Sequence, residues 1–571
     1  KQRVAQAASQ GTEAIWQELA SCINGYPAER AKERGVFADL FLTHVLSQAK
    51  HPLSPGLLTD VIDQWLRHRQ LPARCGDFEP AQKIALQAWT RILRHTLTQF
   101  FLATPPDYFG HLSKYQQGRL IDLWRGLFFN DFTTPYLEDA VHQEAKRQVE
   151  ATTGTKRLYP DLLIRSMYSP FPPEAVKPNM AELLKKEMPL ALQVILALWL
   201  VNVPYFDGNE KNQRVMLRNA TAFLQDALRQ QELLQQNIYH AVTIHLIAQF
   251  WRAAYLGGNL VKPISLLGDF LHHYVGKQYP EFMTPIAAAP LSEGRKLRLG
   301  YVSSNFCQQA VSFYMANRFF HADRQRFEIQ VFALEKRSDS MTDRIRSYSD
   351  RFRVFNSEEM HRLAPIAQAI KEAELDILIY ADIGMEQVSY QLAAMRLAPV
   401  QAVLVGHGAT TGLPTVDYYI SGDFEAANAQ EHYREKLIRL ANLGAAQIPP
   451  SDPPTGRLKR SDFGLPEDKV LLVSCANGIK HGPDRDALLV RILQQAPQAV
   501  IALKPFMTPD LAQPMWSRRV MEAARRGGVA DRLRIIPPLA YGRDLMDFLA
   551  MADIQLDSYP YGGWTTNMEA V

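Results

Sequence analysis

Three short segments of this chain bring together residue types that can do chemistry. The first is Ser474-Cys475-Ala476-Asn477-Gly478-Ile479-Lys480-His481-Gly482-Pro483, between an apolar run and the helical stretch Asp484–Gln495. Pro483 suits a first helical turn, which places Asn477 through Lys480 just ahead of a helix N-terminus. Free N–H groups and the positive end of the dipole favour an anion there, and Lys480 adds a full charge. An ordinary strand-to-helix turn would read the same way. The second segment is Leu556-Asp557-Ser558-Tyr559-Pro560-Tyr561-Gly562-Gly563-Trp564-Thr565-Thr566-Asn567-Met568-Glu569. Its glycines let backbone approach a ligand closely, Thr565 and Thr566 offer hydroxyl and N–H groups to phosphate, and Glu569 can accept from sugar hydroxyls. The plainer alternative makes Thr565 an N-cap and Glu569 a first-turn acid.

The third segment runs from Arg396 to Gly412 (RLAPVQAVLVGHGATTG). A strand delivers His407 between two glycines at its carboxyl end, a position expected to be exposed. There an imidazole with a pKa near neutrality suits acid–base work or donation to an oxyanion, although a lone His is often structural. Asp484-Arg485-Asp486 matches the Asp-x-Asp that holds a divalent cation in many sugar-nucleotide enzymes. Its place in the first turn of a helix instead favours acids that complement the dipole, so no metal is expected. The glycine-rich dinucleotide fingerprint, the nucleophile elbow and the phosphate loop are missing where they would count, which weakens dehydrogenase, hydrolase and ATPase readings.

The elements that must carry these segments follow from hydrophobic period. Residues from about 12 to 285 show helical spacing, as in Glu79–Leu102 and Asn209–Leu234, with segment lengths too irregular for a 34-residue helical-hairpin repeat. Met188–Val203 contains Gln193 and Asn202 and falls short of the roughly 20 apolar residues of a bilayer span, so it reads as a buried helix. From Leu297 the texture changes. Apolar runs at Leu297–Ser303, Phe327–Leu334, Phe352–Phe355, Asp376–Ile383, Val400–Val405, Tyr418–Ser421 and Leu437–Leu440 alternate with helical stretches. That pattern predicts a parallel, doubly wound sheet. After the Pro-rich Gln447–Thr455, a second series follows at Val470–Cys475, Ala499–Leu503, Leu533–Ile536 and Asp553–Leu556. The expected organisation is an all-α domain over 1–290, a first Rossmann-like domain over 291–446, a linker over 447–455, and a second Rossmann-like domain over 456–571. Ligands are expected in the cleft beyond the carboxyl ends of the strands. The second series stops at Val571 in a predicted helix, so further sequence is expected beyond it; the absence of an initiator Met suggests the same before Lys1.

Composition bounds the partners. With 571 residues, 47% apolar and 21% charged, the chain is an ordinary folded multidomain protein. Its net charge of +4 lacks the concentrated basic field of a nucleic-acid binder. Cys22, Cys75, Cys307 and Cys475 have neither zinc-knuckle nor redox-pair spacing, which fits a reducing cytosol.

Taken together, these segments resemble the glycosyltransferase family that contains nucleocytoplasmic O-GlcNAc transferase and the bacterial cytoplasmic N-glycosyltransferases of high-molecular-weight adhesins. Leu297–Phe306 resembles the opening strand of its catalytic region, and Asn477–Pro483 and Ala552–Glu569 resemble its nucleotide-binding segments. Ile383-Gly384-Met385 with Arg396–Thr411 resembles the adhesin-modifying branch, as does the non-repetitive helical first half. The likeness covers about residues 297–571. It implies a GT-B pair of Rossmann-like domains and an inverting, metal-independent enzyme. Such an enzyme would move a hexose from a UDP-sugar to a protein side chain: Asn of an adhesin, or Ser/Thr in the O-GlcNAc manner. A catalytically silent sugar-nucleotide-binding scaffold is the reading from another class. By the same resemblance Lys480 contacts the donor diphosphate with Asn477 near it, and Thr565 and Thr566 bind phosphate. Glu569 stands where the family has an Asp on the nucleotide-sugar, Leu539–Tyr541 with Arg543 flank the uracil, and His407 lines the donor-sugar and acceptor side. Besides Glu569 in place of Asp, two further departures stand out. The loop after the first strand reads Cys307-Gln308-Gln309 where the family carries a His, and Trp564 replaces a smaller residue or His.

Overall fold

The structure, a computed structural model, describes residues 210–229 and, with short gaps, 253–570, together with scattered positions between 113 and 251. The helix expected at Glu79–Leu102, Cys22 and Cys75, Tyr541 and the centre of the Pro-rich linker lie outside the described residues. Val194, Ile195 and Leu198, from the apolar run read as a buried helix, are helical and buried. Among the described residues no helix is long and apolar enough to cross a membrane.

The chain divides into two compact units, Lys1–Asp207 with Met507–Arg518, and Gly208–Phe506 with Arg519–Val571. Both sheets lie in the second unit, which opens with helices α1 (Glu210–Arg229) and α2 (Val261–Gln278). In α2 the residues Ile264, Leu267, Leu271, Tyr274 and Val275 repeat at three- and four-residue steps and form its buried stripe. Gly268 of that helix lies against Gly412 so closely that a Cβ would stand 1.9 Å from the Gly412 carbonyl oxygen. This approach fixes the helix on the loop that follows His407.

The first sheet contains β1 (Leu297–Ser303), β2 (Phe327–Leu334), β3 (Arg351–Phe355), β4 (Ile377–Tyr380), β5 (Val400–Leu404), β6 (Tyr418–Gly422) and β7 (Lys436–Leu440). All neighbours are parallel, in the order β3-β2-β1-β4-β5-β6-β7. The second sheet, β8 (Val470–Ala476), β9 (Ala499–Pro505), β10 (Leu533–Ile535) and β11 (Ile554–Gln555), is also parallel, in the order β10-β9-β8-β11. The strand expected over Asp553–Leu556 is only two residues long. Apolar runs form these strands because parallel sheets are covered on both faces; β9 is buried at every position.

Each sheet reverses direction of winding once, between β1 and β4 in the first and between β8 and β11 in the second. Crevices open at such points, beyond the carboxyl ends of the strands. The Pro-rich connection is held at both ends. The Ile448 N–H donates to the Phe313 carbonyl at 2.8 Å, and Ile448 packs on the first core. At the other end the buried Asp547 carboxylate accepts from the Thr455 hydroxyl at 2.8 Å and from the N–H groups of Thr455, Gly456, Arg457 and Leu458. Burial alone would raise the Asp547 pKa, but these donors hold it down at about 2.

Candidate functional site

The first and second motifs flank the reversal of the second sheet. β8 ends at Ala476, and Gly478–Lys480 then forms a 3-10 turn in which the Lys480 N–H donates to the Asn477 carbonyl at 2.9 Å. Helix α3 (Pro483–Gln495) begins only after His481 and Gly482, with Gly482 as its N-cap. Lys480 therefore sits just ahead of the helix, where the Pro483 pattern places it, and on a 3-10 turn of its own. Its ammonium donates to the Gly562 carbonyl at 3.2 Å and lies 5.1 Å from the centre of the Tyr561 ring. Burial pushes the Lys480 pKa down, while the Asp557 carboxylate pulls it up. The two motifs thus meet through this side chain.

The glycine-rich loop is shaped by its own acid. Asp557 accepts from the N–H groups of Ser558 and Gly563, both at 2.6 Å. The buried Arg485 guanidinium donates to the Asp557 carbonyl and, at 2.7 Å, to Ser474 Oγ, which braces this loop against β8. Asp486 pairs with Arg519 at 2.6 Å and Asp484 is exposed, so Arg485 and Asp486 of the Asp-Arg-Asp triplet are engaged in holding the fold. Among the described residues no cluster of three His, Cys, Asp or Glu could hold a metal.

The chain then turns into the short helix α4 (Thr565–Glu569), whose N-cap is Trp564; Thr565 is the first helical residue, not the cap of the plainer reading. Thr565 is buried, and its hydroxyl has no hydrogen-bond partner among the described residues. Thr566, Asn477 and Glu569 are half-buried, as is Leu539, which packs on the second core; Arg543 is exposed at the start of the helix Arg543–Ala550. Trp564 crosses to the first lobe and meets Tyr314 edge-on, with ring centres 6.3 Å apart. Its bulk fills space at the lobe junction.

His407 is only 7% exposed, which corrects the expectation of an open position. Its ring stacks on Tyr561 at 6.0 Å and lies 6.0 Å from Tyr255 and 6.2 Å from Trp251. Burial drives its pKa down to about 4, helped by the Lys480 charge and opposed by a hydrogen bond to the Trp251 backbone. At neutral pH the imidazole is uncharged, contrary to the expectation of a group poised near neutrality. Nε2 has no partner among the described residues. The Gly408 N–H donates to the Tyr561 hydroxyl at 2.9 Å, closing the first lobe on the second at this point.

Sequence reasoning missed what fixes this loop. Buried Glu435, at the start of β7, accepts from Thr410 Oγ1 at 2.6 Å, from the Thr411 N–H at 2.7 Å, and from the Thr411 hydroxyl. Tyr419 donates to the His407 carbonyl at 2.7 Å. Gly384, at φ +88°, lies so close that a Cβ would stand 3.2 Å from the imidazole ring. Trp251 and Tyr255 come from a helical stretch that hydrophobic period marks only as scaffold, and Tyr561 lay inside a motif read for its glycines and hydroxyls.

Two parallel doubly wound lobes with loops meeting beyond their strand ends form a GT-B-type, Rossmann-like fold. Residues 277–443 match the family model of Glycosyl transferase family 41. The chain is 27% identical over 288 residues to an Arabidopsis thaliana protein described as a probable UDP-N-acetylglucosamine–peptide N-acetylglucosaminyltransferase, SPINDLY, covering 48% of this chain and 30% of that protein. It is 28% identical over 302 residues to a second Arabidopsis thaliana protein of the same description, SEC, covering 51% of this chain and 30% of that protein. The chain thus spans about a third of the length of these relatives. Among solved structures, a mutant O-GlcNAc transferase of Thermobaculum terrenum aligns with a TM-score of 0.43 and 22% identity over 80% of this chain and 81% of that one.

Proposed function

We propose that this protein transfers a sugar from a UDP-sugar to a polypeptide side chain, with inversion and without a metal, in a cytoplasmic setting. The observation that carries the reading is the meeting of the Lys480 turn with the glycine-rich loop at the reversal of the second sheet, facing a neutral His407 across the lobe junction. The match to the glycosyltransferase model and the named activity of the relatives support it.

In this reading Lys480, the half-buried Asn477 and the Thr565 and Thr566 hydroxyls bind the diphosphate. Leu539, Tyr541 and Arg543 flank the base, and Glu569 takes a sugar or ribose hydroxyl. The acceptor attacks the anomeric carbon from the face opposite the diphosphate. The bond to the diphosphate oxygen breaks with its electron pair, and Lys480 stabilises the departing charge. Uncharged His407 accepts a hydrogen bond at Nε2 from the acceptor's O–H or N–H and aims its lone pair. As the new bond makes that group strongly acidic, its proton passes along this hydrogen bond to His407 Nε2, which returns it to water when the product leaves.

The relatives are peptide glycosyltransferases, and a Ser/Thr hydroxyl acceptor in the O-GlcNAc manner is the first reading of the acceptor. Asn of an adhesin is the second, favoured by the likeness of residues 396–411 to the adhesin branch. Mass spectrometry of peptides carrying Ser/Thr or Asn, incubated with the full chain and UDP-sugars, separates them. Lys480→Met should bind UDP roughly 10- to 100-fold more weakly, the loss of a charged hydrogen bond, and should lose transfer to every peptide. Retained transfer by this variant would overturn the assignment.

A further inference from the structure

Lys504 is a buried cation that the mechanism above does not use. It stands at the carboxyl end of β9, only 5% exposed. The register pairs it with Cys475 at the end of β8, one strand from the Lys480 turn. Side chains alternate along a strand, so Lys504 shares its face with Val500 and Ala502, which pack with Leu545 and Phe548 in the second core. Its ammonium lies 3.9 Å from the centre of the Phe506 ring. Among the described residues it has neither a hydrogen bond nor an ion pair. Burial pushes its pKa down, and the neighbouring Cys475 opposes this.

The Lys504 ammonium rests on one aromatic face with no acceptor among the described residues, so an acceptor arriving on a ligand would gain a charge-assisted hydrogen bond. The surroundings supply the direction in which an acceptor would come. Beyond β10 the Ile536 N–H donates to the Leu503 carbonyl at 2.8 Å, which leads the chain towards Leu539 past the end of β9. Leu539 and Phe506 both lie against the second core, and the Phe506 ring covers the Lys504 ammonium. From β11 through β8 to β9 is two strand spacings, about 9–10 Å. A nucleotide with its phosphates at the Lys480 and Thr565 loops and its nucleoside running across the sheet over β8 would bring its base to the end of β9.

We propose that Lys504 is a specificity-determining residue that donates a hydrogen bond to a carbonyl oxygen of the donor's pyrimidine base. The inference rests on the UDP-sugar reading and adds the group that recognises the base end of the nucleotide. A uracil carbonyl is a neutral acceptor that fits an apolar-walled pocket with one donor, whereas the phosphates already have Lys480 and the threonine hydroxyls.

The test is calorimetry on the full chain with UDP, UMP and inorganic pyrophosphate, comparing the unaltered protein with Lys504→Met and Lys504→Gln. Lys504→Met should weaken UDP and UMP at least about tenfold, the loss of a hydrogen bond from a charged donor. It should leave pyrophosphate unchanged and should not lower the melting temperature, because the ammonium makes no hydrogen bond or ion pair with the described residues. Lys504→Gln keeps an N–H donor and should lose less. Unchanged UDP affinity, an equal loss for pyrophosphate, or a lowered melting temperature in both variants would overturn the proposal. Failure of the unaltered chain to bind UDP would remove the transferase reading and this inference together; UDP binding that is indifferent to Lys504 removes this inference alone.

Discussion

Acid should weaken this protein through His407, and the effect can be sized from its surroundings. The ring is 7% exposed, packed among Trp251, Tyr255 and Tyr561, and its pKa is held down at about 4 by burial first and by the Lys480 charge second. In the unfolded chain a histidine titrates near 6.5. Above that pH neither state carries the proton, and stability is independent of this group. As pH falls from 6.5 to 4, the unfolded chain binds a proton that the native state refuses, so stability drops by about 1.4 kcal/mol per unit, or about 3 kcal/mol over the whole window. Urea unfolding of the unaltered protein and of His407→Gln at pH 7 and pH 4.5 reads this directly. The unaltered protein should lose about 2–3 kcal/mol more than the variant. The buried His481, also depressed by burial and by Arg485, Arg519 and Lys480, contributes equally to both and cancels. NMR of the imidazole carbon should show titration near 4, and an acid limb of kcat/KM due to His407 should lie there too. An equal pH slope in both proteins, or an imidazole titrating near 6.5, would refute the account of a neutral, desolvated His407.

Glu435→Gln should cost about 2 kcal/mol, because a buried carboxylate accepting from Thr410 and Thr411 becomes an amide that turns a donor towards one of them. Urea unfolding checks this; a loss below about 0.5 kcal/mol, the range of an indifferent surface change, would count against it. Gly384→Ala forces a side chain onto a residue at φ +88° and a Cβ within 3.2 Å of the His407 ring. The expected result is a destabilisation of about 1–2 kcal/mol with reduced transfer and retained UDP affinity; a parallel loss of UDP binding would contradict it. Asp547, with its pKa held down at about 2, adds stability that is complete above about 4 and fades as pH falls towards 2. Asp547→Asn should therefore lower the melting temperature at pH 7 and flatten its decline below pH 4, which a thermal scan against pH would show.

The alternation of apolar runs with helical stretches after Leu297 placed the strands of both sheets to within two residues except at β4, which ends at Tyr380, three residues before the end of the expected run, because a strand covered on both faces must be apolar along its length. The misses fell where few residues pair: at β4, where the ladder with β1 stops at Tyr380 although the apolar run goes on to Ile383, and at β11, where only Ile554 and Gln555 join the ladder. The first two motifs were legible for a related reason: glycines, a lysine and paired threonines between a strand and a helix are a local pattern. What spacing could not show was that the segment ahead of the helix closes into a 3-10 turn of its own, since that depends on where the hydrogen bonds of Gly478–Lys480 close.

Local order along the chain thus determined the elements and the segments able to bind an anion, since hydrophobic period and turn chemistry act over a few neighbouring residues. The charge state of His407 was decided only in the folded molecule. Its desolvation comes from Trp251 and Tyr255, about 150 residues before it, and from Tyr561, about 150 residues after it, none of which a local reading can bring to one ring. The same holds for Glu435 beneath the Thr410–Thr411 loop and for Lys504 beside Phe506. A pKa, an unpaired ammonium or a buried hydroxyl reports the dielectric and the partners at one place in space, and those are set by tertiary packing.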